Sequence, residues 1–249
     1  MFLIQHPSPL SSLAYLFGCT GKRAAIAVDV HAGDEEAFLA MAREKDVEIR
    51  YVIDTHIHAD HVSGGRRLAH LAGAHYALHE SNTGAVPWDF MPLRDGQVLE
   101  AGNVSVQVLH TPGHTDDSIT LLVTDRSRCD EPWFLVTGHT LFVGAVGRPD
   151  LRGREREMAE KLYDSLFGKL LSLPDHLEIL PGAQAGSVCG GGISGKPVST
   201  LAFEKRYNKG LVRDRTAFVE AILETALALP QPEAMREIIA ANIAAEIPA

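Results

Sequence analysis

Thr55-His56-Ile57-His58-Ala59-Asp60-His61 is the stretch that decides how this chain is read. It follows directly on residues 49–53, a run of strand length rich in Ile, Val and Tyr. His56 and His58 stand two apart, so in extended chain they point the same way. Asp60 and His61 then fall on the turn into a helix. Imidazoles and carboxylates seldom crowd together without partners, because each polar group taken out of water must be satisfied. A polar loop of paired histidines is the plain alternative; a metal site explains the cluster better.

Two later segments repeat the theme. One is Leu109-His110-Thr111-Pro112-Gly113-His114-Thr115, the other Val136-Thr137-Gly138-His139-Thr140. In each an apolar strand gives way to Gly followed by His, which sets an imidazole at the rim of a sheet, where sites are usually built. His110 reads as a supporting or structural residue. The whole chain carries 12 histidines and only three cysteines, Cys19, Cys129 and Cys189. Three scattered cysteines make neither a disulfide framework nor a thiolate zinc site, and a reducing cytoplasm fits them best.

Composition excludes other classes. The chain has 249 residues, 45% of them hydrophobic and 22% charged, values of a globular protein rather than a disordered one. Its net charge of −9, with no basic cluster, argues against nucleic acid as a partner. No apolar run approaches the ~20 residues needed to span a bilayer. The start, Met1-Phe2-Leu3-Ile4, is interrupted by Gln5, His6 and Pro7 and has no basic residue before Lys22, so a signal peptide is not expected. Leu16-Phe17-Gly18-Cys19 reads as the end of a buried strand.

The order of elements is mixed. Residues 13–17 and 24–30 are strand-length runs around a Thr20-Gly21-Lys22 turn. Asp34 opens a helix with Phe38, Met41 and Ala42 on one face. Ser63 caps a short helix over 64–71 that Gly73 closes. The middle is strand-rich, with Val98, Val104, Val106, Val108 and residues 119–123 and 133–137. The last third is helical: Met158, Leu162, Leu166 and Leu170 share one face, Phe218, Ile222 and Leu223 another. With no repeat or linker, residues 1–249 are expected to form a single layered αβ domain with C-terminal helices.

These residues carry a family resemblance. His56, His58, Asp60 and His61 match the His-x-His-x-Asp-His signature of the metallo-β-lactamase fold. Within that superfamily the chain resembles the persulfide dioxygenase and hydroxyacylglutathione hydrolase branch. The likeness includes Thr111-Pro112-Gly113-His114-Thr115, Gly138-His139-Thr140-Leu141-Phe142, Gly147-Arg148-Pro149-Asp150-Leu151, Leu162-Tyr163-Asp164-Ser165-Leu166 and Gly186-Ser187-Val188-Cys189-Gly190. It spans nearly the whole chain and implies a four-layer αββα sandwich with the metal at one edge.

Two departures matter. Where the family usually reads Gly-Asp-Thr, this chain has Gly138-His139-Thr140. Where the family has a late Pro-Ala-His-Gly segment, this chain has Pro181-Gly182-Ala183-Gln184. In dinuclear members that Asp bridges two metals and that His helps to hold the second. The resemblance therefore implies one ion per chain, held by His56, His114 and His139, three protein ligands with open positions beside them.

The activity so implied is that of a mononuclear Fe(II) dioxygenase, oxidising a thiol persulfide such as glutathione persulfide to sulfite and thiol. His58, Asp60 and His61 would then orient the ligands or manage protons. Arg148 would bind a substrate carboxylate or, equally, pair with Asp150; Cys189 would border the pocket or simply be buried. A zinc hydrolase of the hydroxyacylglutathione type is the alternative enzyme, since three histidines and a water also suit Zn²⁺. A degenerate metal-binding chain without catalysis is the alternative of another class. The partner in the leading reading is a small thiol or persulfide; a homodimer stays open.

Overall fold

The computed structural model describes residues 1–8, 11–149, 153–187, 191–228 and 233–247. Two six-stranded sheets face one another. The first runs in chain order: β1 (Phe2–Pro7), β2 (Leu13–Cys19), β3 (Ala24–Val28), β4 (Glu48–Ile53), β5 (His75–His79) and β6 (Met91–Leu93). β1, β2 and β3 are antiparallel neighbours, and β3 to β6 are parallel. The second contains β7 (Val98–Ala101), β8 (Val104–His110), β9 (Ile119–Asp125), β10 (Phe134–Gly138), β11 (Glu178–Pro181) and β12 (Ser199–Thr200), laid out from β12 at one edge to β7 at the other. Only β10 and β11 pair parallel there.

The alternation of side chains along each strand sorts them between layers. Leu13, Tyr15 and Phe17 of β2 point inward with Ile26 and Val28, and meet Val104, Val106, Val108, Leu121, Val123 and Phe134 of the other sheet. Their alternates Ala14 and Leu16, with Ala25, Ala27 and Val52, face outward onto α1 (Glu35–Glu44) and α2 (Gly65–Ala72) through Phe38, Ala42 and Leu68. Leu122, Leu135 and Ile179 do the same on the second sheet. They meet α3 (Glu155–Tyr163), α4 (Leu201–Tyr207) and α5 (Arg215–Ala228) through Leu162, Leu201 and Phe218. A strand covered on both faces must be apolar throughout, which is why 13–17 and 24–28 read as continuous runs. The layers are helix, sheet, sheet, helix, the αββα sandwich expected from the sequence.

Several details differ from the sequence reading. Gln5, His6 and Pro7 do not end the first apolar run as structure; β1 continues through all three, its Pro7 facing Leu13. An edge strand accepts proline because one side of its ladder has no partner to lose. The leucine stripe is not one regular helix: α3 stops at Tyr163, and residues Asp164–Lys169 form a wider π-helical turn. A four-residue spacing drifts by about 40° per step in a regular α-helix. The wider turn counters that drift and keeps Leu162, Leu166 and Leu170 fully buried on the second sheet. A sixth helix, α6 (Glu233–Ile243), lies far along the chain. No helix among the described residues is long and apolar enough to cross a membrane.

Candidate metal centre

His56 sits just beyond the end of β4, and its position is set by the residue before it. The Thr55 amide donates to Asp29 Oδ1 at 2.7 Å and the Thr55 hydroxyl to Asp29 Oδ2 at 3.0 Å. With its one proton given to Asp29, the hydroxyl can only accept from His56 Nδ1, 3.0 Å away. That fixes the tautomer: Nδ1 carries the hydrogen and Nε2 presents a bare lone pair. Nε2 is buried with no hydrogen-bond partner.

The same logic fixes His114. It lies in the loop after β8, which ends at His110 rather than at Gly113. Its Nδ1 is 2.7 Å from the Arg148 carbonyl, an acceptor only, so Nδ1 holds a hydrogen and Nε2 is the nitrogen turned toward His139. His139 follows Gly138, where β10 ends. Gly138 has φ +49°, and a Cβ there would stand 2.7 Å from Thr55 Oγ1, so the strand ends of the two sheets abut only through glycine. His139 Nδ1 lies 3.3 Å from His114 Nε2.

The ligand atoms of His56, His114 and His139 all lie within 4.8 Å of one another. All three side chains are buried, at 1%, 0% and 2% exposure. Two imidazole nitrogens that each sit ~2.0–2.1 Å from a shared ion are separated by about the distance seen between His114 and His139. The unpartnered nitrogen of His56 completes the set. Burial, helped by the neighbouring imidazoles, pushes the pKa of His56 well below the usual histidine range. Burial likewise pushes His139 down to about 3. Both are therefore neutral at pH 7, the form a metal requires. The residues present fit one metal ion.

The imidazole at 139 is larger than the carboxylate the family places there, and the room for it comes from the end of β11. A Cβ on Gly182 would stand 2.8 Å from His139 Cδ2. Ala183 is fully buried with Phe142, Ala145 and Ile193, and offers no ligand.

A second polar layer backs the first. His58 Nε2 meets Asp29 Oδ1 at 3.1 Å, and its Nδ1 lies 3.6 Å from Asp60 Oδ1. Burial opposes a charge on His58, but Asp29, Asp60 and Asp54 outweigh it and hold its pKa well above the usual range. Burial also opposes the charge on Asp60, and His61 and His139 outweigh that in turn, so Asp60 is held ionised. Asp60 accepts from Ser12 at 3.0 Å and from His61 Nδ1 at 3.1 Å, and its Oδ2 is 3.9 Å from His139 Nε2. His58, Asp60 and His61 form a second group close enough to gather around an ion, and Asp29, Asp54 and His58 a third. His58 belongs to both, and its ion pair with Asp29 sets it to hold protons rather than donate lone pairs.

His110 stacks on His79 with ring centroids 3.8 Å apart and meets the Asp116 carbonyl at 2.8 Å, away from the three converging histidines. Arg148 is buried at 3% exposure and is among the residues around a 570 Å³ cavity with Gly147, Tyr207 and Lys209. Its expected rival partner Asp150, and Cys189, lie outside the described residues. Sequence reasoning missed Asp29, Ser12, Gly182 and His31, whose ring stacks on His61 at 3.5 Å. Only Asp29 left a trace, as an acid within the apolar run 24–30. The others act through contacts that no spacing encodes.

Known proteins supply the remaining comparison. Across 230 residues the chain is 26% identical to "Persulfide dioxygenase ETHE1, mitochondrial" of Bos taurus, covering 92% of this chain and 82% of that one. The crystal structure of ETHE1 from Myxococcus xanthus superposes with a TM-score of 0.82 at 30% identity, over 97% of this chain and 98% of that chain. A metallo-beta-lactamase structure from Staphylococcus aureus gives a TM-score of 0.88 at 30% identity, over 97% of this chain and 72% of that chain. Residues 8–183 match the model of the Metallo-beta-lactamase superfamily. By that match, and by the two facing sheets with histidines at their strand ends, the chain belongs to the metallo-β-lactamase superfamily.

Proposed function

We propose that this chain is a mononuclear metal-dependent dioxygenase that oxidises a thiol persulfide, with one Fe(II) held by His56, His114 and His139. The observation that carries the reading is the convergence of three buried imidazoles, two of them oriented by hydrogen bonds at Nδ1. The relatives named persulfide dioxygenase support the substrate class. The overall change balances as RSSH + O₂ + H₂O → RSH + SO₃²⁻ + 2 H⁺. Ferrous iron, when bound, would mediate the transfer of electrons from the sulfur anion to dioxygen.

The chain's own residues do the rest. Thr55 and the Arg148 carbonyl orient two of the ligand rings. The His58–Asp29 pair holds a proton one residue layer from the ion, and Asp60 holds a negative charge against His139 and His61. These fixed charges are placed to orient the ligand rings and to set the electrostatics around the ion. Replacing the family's carboxylate by His139 removes one negative charge, so the bound ion should hold an anionic persulfide more tightly. Arg148 and Lys209 on the cavity beside Gly147 are suited to the carboxylates of a glutathione-like carrier.

The test is anaerobic reconstitution with Fe(II), then oxygen uptake and sulfite release on glutathione persulfide. Stoichiometric uptake and sulfite are expected. Activity that appears with zinc, needs no oxygen and cleaves an acyl-glutathione would overturn the proposal in favour of a hydrolase. Bound metal with neither activity would overturn it in favour of a binding role.

A further inference from the structure

The loop that carries the histidine-rich motif is held by a side chain from the far end of the sequence. Asn242, in α6, is buried at 6% exposure. Its amide nitrogen donates to the His58 carbonyl at 2.9 Å and to the His61 carbonyl at 3.0 Å. Its oxygen accepts from the Ser63 amide at 2.8 Å. One amide thus satisfies three backbone groups of a loop too irregular to satisfy them itself, and uses both of its own hydrogens.

We infer that Asn242 is a positioning residue of the metal centre: it sets the backbone of residues 58–63 and, through it, the His58, Asp60 and His61 side chains that back the ligands. The inference rests on the metal-centre reading above. The geometry is specific to an amide. His58 O and His61 O accept only, and Ser63 N donates only, so the reaching group must donate twice and accept once. α6 is itself tied to the same region by Arg66, whose guanidinium donates to the carbonyls of Ala244 and Ala245, each at 2.9 Å. Those bonds are solvent-exposed and weaker as restraints. The bonds of Asn242 are buried ones, and Asp60, on the loop it pins, is a carboxylate that faces His139.

Outer partners of ligating groups typically change metal affinity ~10–100-fold when removed. The probe is cobalt(II), whose visible bands report ligand geometry without any turnover. Asn242→Ala removes all three bonds. Asn242→Asp keeps the shape and the acceptor for Ser63 but cannot donate to the two carbonyls. Val219→Ala, buried in α5 on the other helical layer, controls for general loss of stability. We expect both Asn242 variants to bind cobalt(II) at least ~10-fold more weakly, with shifted bands, and Val219→Ala to bind as the wild type does. If Asn242→Asp binds with wild-type affinity and spectrum, the inference is overturned while the metal centre stands. If Val219→Ala loses affinity equally, the effect is one of stability and the inference is overturned. A wild-type chain that binds no cobalt(II) overturns the metal-centre reading and the inference together.

Discussion

The imidazole of His139 fits only because its neighbour across the strand ends is glycine. A Cβ on Gly182 would approach His139 Cδ2 to 2.8 Å and the Gly138 carbonyl to 3.1 Å. Gly182→Ala should therefore destabilise the wild-type chain by ~1–3 kcal/mol through overpacking. The same substitution should cost less when His139 is replaced by the smaller Asp, since the closest contact is then gone. A double-mutant cycle by urea unfolding of the metal-free proteins measures the coupling, expected at ~0.5–3 kcal/mol. Additive effects would mean that the two positions exchange independently. His139 itself was legible because a histidine after a strand-ending glycine is a chemical signal. The clearance at Gly182 was not, because it depends on how β10 and β11 meet in space.

Elements, rather than single residues, decide where the ligands fall. His56 hangs from the parallel region of the first sheet, and His114 and His139 from strands β8 and β10 of the second. Thr111 and Thr140, 3.1 Å apart through their hydroxyls, tie the last two segments together. The strands with continuous or alternating apolar residues could be read directly. β1, β5 and β6 could not: Pro7 in β1, and the histidines at 75 and 79 in β5, hide short strands that tertiary pairing stabilises. The π-helical turn at 164–169 is likewise a response to the sheet beneath it. Leu166, on that turn and fully buried, should cost ~2–5 kcal/mol when replaced by Ala. Its loss should leave metal content unchanged, because none of the three converging histidines belongs to the cluster it fills. Denaturant unfolding together with elemental analysis checks both halves; a loss of metal in the folded variant would refute the separation.

On the scale of the molecule, an ion at this position joins the two sheets. Whatever binds the native arrangement and not the unfolded chain stabilises it by mass action, by ~2.7 kcal/mol at a free concentration 100 times the dissociation constant. For a chain of this size that corresponds to a rise in Tm of roughly 5–10 °C. Calorimetry of the loaded protein before and after chelation should show that fall. An unchanged melting point would mean that His56, His114 and His139 hold no ion in the native state. A layered αβ domain could be read from the apolar runs of the strands, and the four-layer sandwich from the resemblance to the metallo-β-lactamase fold. The bracing of the site could not, because the partners of His58 and His61 lie more than 180 positions downstream.

That separation also has a meaning in time. A ribosome adds ~5–20 residues per second. The 184 positions between His58 and Asn242 therefore take roughly 10–40 s to make. Throughout that interval the histidine-rich loop exists without the amide that fastens it, and for the part of it after His139 has been made all three proposed ligands are already in the nascent chain. On the proposed reading, an ion that meets the chain before Asn242 has been made would meet an unbraced site, and the fully fastened one is offered only after α6 has been synthesised.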